Sequence, residues 1–343
     1  FFFKQKTAYE IKECDWSSDV YSSDLMSIKW GVLGTGGIAR EFTEDLLSYT
    51  EMSVAAVGSR SLEKAKNFRK GVTAYGSYED LVDSDVDAIY VATPHQTHAQ
   101  NTILALNAGK PVLCEKPFAV NAAQAKSMRD AAKEKNLLLM EAMWTRYLPH
   151  IQKVRELMQE LGEIHNVQAD HGQSIMHIQR LTDANYAGGA LLDLGIYPIS
   201  FAYFALGKPD KVTAKGIIEN GVDLQTSAIF EYSGGRQAVI NTVMNSKTPT
   251  TASINGTNAR LELATSFYRP TEMRLVYNDG RIVEFKNEYR GHGLREQAIY
   301  FEKMLITGKK DSELLPIAET ISIMETIDEI RNQIGLKYPA LEN

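Results

Sequence analysis

The stretch from Ile28 to Ser48 constrains the fold of this chain more than any other. An apolar run, Ile28 to Leu33, ends in Gly34-Thr35-Gly36-Gly37-Ile38-Ala39, and an amphipathic segment follows. A G-x-G-x-x-A turn between a strand and a helix is a phosphate cradle. The first glycine allows the tight turn, the second lets backbone approach a pyrophosphate, and the small Ala39 lets the helix pack closely. The helix N-terminus adds partial positive charge at the same point. These residues therefore predict a dinucleotide-binding Rossmann unit, with Gly34, Thr35, Gly36, Gly37, Ile38 and Ala39 at the cofactor.

The pattern downstream extends that unit. Apolar runs at Met52 to Val57, Asp85 to Ala92, Pro111 to Cys114 and Leu137 to Met140 alternate with helical segments at Leu62 to Arg69 and Asn121 to Lys135. Ser77-Tyr78-Glu79-Asp80 is a capping-box pattern, and Asn107-Ala108-Gly109 is a helix stop. Such alternation predicts a parallel sheet covered by helices. Beyond Trp144 the rhythm changes. Strand-like runs such as Ala228 to Tyr232 and Gln237 to Val243 follow one another across a Ser233-Gly234-Gly235 turn, predicting a large, mostly antiparallel open sheet. Helices frame it: Ala190 to Leu206 before, and two later stripes, Leu294, Ala298, Phe301, Leu305 and Ile323, Ile327, Ile330, Ile334. The expected fold is α/β, a Rossmann domain over 26–146 followed by an α+β substrate-binding and oligomerisation domain over 147–343.

Residues 1–25 do not read as part of that fold. Phe3 to Ile11 and Asp15 to Leu25, with Tyr21 as a mismatch, look like an in-frame translation of a sequencing-library adapter, so this segment is expected to be an artefactual or disordered extension and translation to start at Met26. Without it the net charge of -6 becomes -4, since three lysines and five acidic residues go, and Cys114 is the one remaining cysteine. With no Lys/Arg-rich block, no nucleic-acid partner is expected. With no long apolar run and no signal peptide, no membrane is expected, and a lone thiol suits the cytoplasm.

At the end of the second strand, Val57-Gly58-Ser59-Arg60 places a hydroxyl and a guanidinium where an NAD-selective site carries a carboxylate. Arg binds phosphate through paired charge-assisted hydrogen bonds, so Ser59 and Arg60 favour NADP(H), with NAD(H) possible. The alternative for Arg60 is a solvated side chain at a loop tip.

Three further segments, in order, are Ala92-Thr93-Pro94-His95-Gln96-Thr97-His98, Cys114-Glu115-Lys116-Pro117 and Gly188-Gly189-Ala190-Leu191-Leu192-Asp193-Leu194-Gly195-Ile196-Tyr197. Together with the glycine loop they resemble the Gfo/Idh/MocA oxidoreductase family. The resemblance implies that Lys116 lies beside the nicotinamide and the substrate hydroxyl. Tyr197 stands where many members have His, which resembles the branch containing dimeric dihydrodiol dehydrogenases, NADP-dependent xylose dehydrogenases and glucose-fructose oxidoreductases, and implies Tyr as the acid/base. A nicotinamide cation would lower the Lys116 pKa, and Lys116 would assist a phenol that normally titrates near ~10. Asp193 would orient either group or bind a substrate hydroxyl. The bland alternatives are a surface Lys116 paired with Glu115, and Asp193 and Tyr197 as a cap and a packing residue.

The resemblance also implies that Thr93, His95, His98, Glu115, Trp144 and Arg146 surround the cofactor. His95 and His98 lack a third ligand nearby in sequence, so no metal site is expected, and Cys114 reads as a buried residue rather than a nucleophile. The implied activity is reversible hydride transfer between NAD(P) and a hydroxyl-bearing carbon of a sugar, polyol or trans-dihydrodiol, in a homodimer. A non-catalytic NAD(P)-binding regulator of the same fold remains the alternative.

Overall fold

The structure, a computed structural model, describes residues 28–341. The adapter-like segment and Met26 lie outside the described residues. Six short strands, β1 (Lys29–Leu33), β2 (Ser53–Gly58), β3 (Thr73–Tyr75), β4 (Ala88–Val91), β5 (Val112–Glu115) and β6 (Leu139–Ala142), form a parallel sheet in the order β3-β2-β1-β4-β5-β6. The central strands are wholly apolar or buried, as strands covered on both faces must be. Helices α1 (Gly37–Tyr49), α2 (Leu62–Lys66), α3 (Tyr78–Val82), α4 (His98–Asn107) and α5 (Ala122–Lys135) make the crossovers.

Local capping sets several boundaries. Ser77 Oγ accepts from Asp80 N at 3.1 Å and starts α3, and Gly109 follows α4 with φ +80. The last two strands begin later than the apolar runs suggest. Asn136 turns left-handed (φ 54) to end α5 and draws Leu137 into the turn, so β6 starts at Leu139 and brings Glu141 into the sheet.

Pro149 opens α6 (Pro149–Leu157) at its first turn, where a missing N–H costs nothing. The second sheet then runs β7 (Ile164–Gly172), β8 (Lys211–Glu219), β9 (Val222–Glu231), β10 (Gln237–Val243), β11 (Ala252–Gly256), β12 (Ala259–Leu263), β13 (Met273–Tyr277) and β14 (Ile282–Phe285). Its order is β14-β13-β12-β11-β7-β10-β9-β8, antiparallel except where β7 meets β10. One face is covered by α7 (Ile196–Leu206), and the other is open. Helices α8 (Arg295–Ile306) and α9 (Ile317–Ile334) return to the first sheet, α8 against α1 and α9 against α5 and β6. The C-terminal part of the chain thus clamps the Rossmann sheet as well as carrying its own.

The apolar segment Ala184–Leu206 is long and apolar enough to span a membrane, contrary to the reading of no such run, but it is core. Residues Leu191 to Tyr203 are all buried, among them Leu192, Ile199 and Ala202 at 0% exposure. Nor is it one continuous α-helix. Leu191–Gly195 form a π-turn, and α7 begins only at Ile196.

Candidate active site

A cleft of about 820 Å³ runs from the glycine-rich loop to the covered end of the second sheet. Its cofactor end is mostly backbone. Gly34 has φ +112, and a Cβ there would sit 2.4 Å from Ala92 O, so only glycine lets β1 turn against β4. A Cβ at Gly36 or Gly37 would meet nothing within 4 Å, which leaves open space in front of the first turn of α1. Gly36 is the N-cap, no side chain caps the helix, and its first turn carries no acid. Free N–H groups facing open space at the start of a 13-residue helix fit a pyrophosphate.

Thr35 and Ile38 line this end. Ala39 does not, being fully buried under the helix, a packing position rather than a contact. Ser59 and Arg60 also line the cleft. Lys64 and Tyr78, not singled out from sequence, stand beside them. Ser59 Oγ accepts from Ser61 N at 3.3 Å. The group offers hydroxyls and two cations to an anion.

The inner end gathers the motif residues. Lys116 Nζ donates to Asp193 O at 2.8 Å and lies 3.4 Å from Asp193 Oδ1. The sequence explains why that carbonyl is open. In a π-turn the Asp193 carbonyl would be met five residues on, at Pro198, and in an α-turn the Leu194 carbonyl would be met four on, again at Pro198. Proline has no N–H. Lys116 approaches the first carbonyl, and His171 Nδ1 lies 3.2 Å from the second.

Lys116 Nζ also lies 4.9 Å from the centre of the Tyr197 ring, and Trp144 Nε1 donates to the Tyr197 hydroxyl at 2.9 Å. Behind Tyr197 are Tyr268, 4.7 Å between ring centres, and His171, 5.3 Å. His171 stacks on Tyr268, and Gln173 Nε2 links His171 Nε2 (2.8 Å) to the Tyr268 hydroxyl (3.1 Å). With Nδ1 donating to Leu194 O, Nε2 is the acceptor from Gln173. Burial lowers the His171 pKa to about 3, consistent with that neutral tautomer.

Burial works against the charges of both Lys116 and Asp193. Their attraction outweighs it, so the Asp193 carboxyl is held well below its usual range and the Lys116 ammonium above its own. Asp193 decides the sign of the Lys116 shift in this site, while the lowering expected from a nicotinamide cation concerns the cofactor-bound enzyme. Burial pushes Tyr197 up to about 12, against the opposing pull of Lys116 and the Trp144 hydrogen bond. The resting site is therefore an ammonium, a carboxylate and a protonated phenol.

His95 Nε2 lies 3.4 Å from Asp193 Oδ1, and its pKa is lowered by burial. His98 ties two loops together, Nδ1 at 2.8 Å from Pro117 O and Nε2 at 2.7 Å from Thr93 O, and burial lowers it to about 4. The neutral ring has a single N–H for two carbonyls. Thr93 accepts from Thr97 and Asn101, both at 3.0 Å. Glu115 accepts from Tyr90 and from Lys116 N, and burial raises it to about 7.

Arg146 is not at the cleft. Its guanidinium, buried to 3% exposure, donates to Ser200 O, Leu314 O and Glu319 Oε1, tying α7 to the segment leading into α9. Trp144–Tyr147 is a 3₁₀ turn, whose side chains step by a third of a circle per residue, so Arg146 cannot share the direction of Trp144. Sequence reasoning missed His171, Gln173, Arg180, Tyr268, Arg269 and His292, which all line the cleft, and no local motif marks them. His292 stacks on Trp144 at 5.1 Å, and its Nε2 lies 3.2 Å from Glu41. Cys114 is buried, and burial raises its thiol.

Comparison with known proteins agrees with this architecture. The profile of the GFO/IDH/MocA oxidoreductase family with an NAD-binding Rossmann fold matches residues 28–143, and that of the GFO/IDH/MocA C-terminal domain matches 151–262. The trans-1,2-dihydrobenzene-1,2-diol dehydrogenase of Xenopus laevis is 36% identical over 330 residues, 92% of this chain and 100% of that protein. The Mus musculus enzyme of that name is 37% identical over 333 residues, with 92% and 99% covered. A solved structure of a 3-ketoreductase from Actinomadura kijaniata, in complex with NADP and TDP-benzene, superposes with a TM-score of 0.81 at 27% identity over 90% of this chain and 98% of that one. Motif order, sheet topology and full-length similarity agree, and the chain belongs to the GFO/IDH/MocA family as an NAD(P)-dependent dehydrogenase.

Proposed function

We propose that the enzyme oxidises a secondary hydroxyl of a sugar, polyol or trans-dihydrodiol, with NADP(H) preferred, and that Tyr197 moves the hydroxyl proton. The observation that carries this reading is the convergence of Lys116, Asp193 and Tyr197 at the inner end of a cleft whose other end is the glycine loop. Gly34, Thr35, Gly36, Gly37 and Ile38 would hold the pyrophosphate, and Ser59, Arg60 and Lys64 the adenosine ribose phosphate. When bound, the nicotinamide accepts or returns the hydride.

In the reducing direction the Tyr197 hydroxyl gives its proton to the alkoxide as it forms; in the oxidising direction Tyr197 first loses its own proton to solvent, and the phenolate then takes the proton of the substrate O–H. Lys116, held by Asp193, offsets the developing phenolate charge, and the Trp144 N–H already donates to that oxygen. His95 holds Asp193 from the other side, and His98 fixes the loop carrying Lys116-Pro117. Thr93 and Glu115 shape the wall between the two ends.

The open face of the second sheet supports a homodimer. Ile229 and Val239 pair across β9 and β10 with 42% and 40% exposure, beside a groove of about 620 Å³ lined in part by Asn241 and Arg274. Cys114, the one cysteine among the described residues, is a buried free thiol, which fits a cytoplasmic location.

The test is reduction of NADP+ and of NAD+ against a panel of aldoses, inositols and trans-dihydrodiols, with Lys116→Met as control. Turnover of one class with NADP+, absent in the control, is expected. Tight cofactor binding with no turnover on any substrate would instead favour a non-catalytic regulator.

A further inference from the structure

The outer half of the cleft carries a cation with no acid to answer it. Besides Arg60 and Lys64 next to the glycine loop, three cations line the cleft: Lys116, Arg180 and Arg269. Lys116 is held by Asp193, and Arg180 NH1 lies 3.7 Å from the same carboxylate. Of the other carboxylates lining the cleft, Glu41 lies against His292 and Glu115 accepts from Tyr90. Arg269 is exposed at the cleft wall, and no carboxylate pairs with it among the described residues; its guanidinium sits 5.5 Å above the centre of the Tyr268 ring. Tyr268 in turn packs on Tyr197. The chain as a whole is acidic, so this excess of positive charge is local, and a low-dielectric cleft focuses it.

Resting on the hydride-transfer reading above, we propose that the substrate is an anionic sugar, a sugar acid or a sugar phosphate, whose charged group is held by Arg269 while the carbinol at its other end meets Tyr197. The stack from Tyr197 through Tyr268 to Arg269 sets the spacing, one aromatic ring between the reacting carbinol and the anion, matched by the span of a pyranose. Carboxylate and phosphate both accept two parallel hydrogen bonds from a guanidinium, and the Tyr268 ring beneath Arg269 gives that fork an aromatic surface to rest on. A neutral substrate would leave the Arg269 charge with solvent as its only partner.

The experiment is calorimetric titration of D-glucuronate, D-glucose 6-phosphate and D-glucose into the enzyme saturated with NADPH, for the parent protein, Arg269→Gln and Arg269→Lys. At least one anion is expected to bind about tenfold or more tightly than glucose. That ratio should fall to about one in Arg269→Gln and survive in part in Arg269→Lys, because the charge remains but the fork does not. The better of the two anions identifies the source, sugar acid or sugar phosphate. Equal binding of anions and glucose, undetectable binding included, overturns the proposal, as does a preference that survives Arg269→Gln. Weaker NADPH binding in Arg269→Gln with an unchanged anion ratio also overturns it and assigns Arg269 to the cofactor. NADP+ reduction by the same preparations separates the two readings. Anion preference without any turnover would sink hydride transfer and leave the anion site standing, whereas turnover of neutral substrates alone would do the reverse.

Discussion

The cofactor end and the substrate end of the cleft are built from different materials. From Gly34 to Ile38 the cofactor wall is consecutive backbone, shaped by what glycine permits and by the N-terminus of one helix. The proposed substrate wall is side chains brought from far apart: Lys116 after β5, Trp144 from a 3₁₀ turn, His171 from β7, Asp193 from the π-turn before α7, Tyr197 from the first turn of α7, and Tyr268 after β12. Backbone recognition tolerates side-chain change as long as the turn is preserved. A side-chain constellation depends on every element that positions it, so specificity can drift there while the cofactor end stays constant.

The comparison breaks first if the substrate wall is not the chemical one. Lys116→Met and Tyr197→Phe should each lower kcat/KM by about a thousandfold, the range of general acid–base assistance, with NADPH affinity retained in a fluorescence titration. Activity within tenfold of the parent would remove these residues from the chemistry.

At the cofactor end the sharpest test is steric. Gly34→Ala forces a Cβ into Ala92 O at a φ of +112, so NADP(H) binding should be lost and stability should drop by about 2 kcal/mol or more, read from denaturant melts. Arg60→Gln leaves that turn intact and should reduce the NADP+ to NAD+ preference by about tenfold or more, the worth of a charged hydrogen bond to phosphate. An unchanged ratio would pass that role to Lys64.

The pH dependence separates the two directions of the reaction. Tyr197 is raised to about 12, so at neutral pH it carries its proton, ready to donate but not to accept. Oxidation should therefore speed up with rising pH, by about tenfold per unit while the base form is scarce, whereas reduction should stay flat from neutral into mildly alkaline solution. Parallel profiles would point to a different proton carrier. The smallest effect is expected at the seam between the two ends, where His292→Ala removes the ring stacked on Trp144; loss of one such aromatic contact should raise the substrate KM by about threefold to tenfold with kcat little changed.

Much of this protein is legible along the chain. Alternating apolar runs and helical stretches identify the parallel sheet because period and length are local properties, and the glycine loop identifies the phosphate cradle because its geometry is carried by six adjacent residues. The motif residues Lys116, Asp193 and Tyr197 each stand out within their own segment of the chain, although they meet only in the fold. Boundaries were less legible: β5 and β6 begin one and two residues later than the apolar runs, since turn residues such as Asn136 absorb the difference. Arg146 reads as a neighbour of Trp144, yet the 3₁₀ turn sends it into the protein interior.

The sequence alone determined the glycine turn, the two-sheet plan and the motifs that carry the candidate reacting groups, because each is written in neighbouring residues. Tertiary structure decided the rest. It set the sign of the Lys116 shift, through an Asp193 held by distant packing, and gave Pro198 a consequence no local pattern announces: a missing N–H beside the Asp193 and Leu194 carbonyls, the first taken by Lys116 and the second approached by His171. It also raised the wall of His171, Tyr268 and Arg269, since side chains far apart in sequence meet only where the sheets and helices packing against them bring them together.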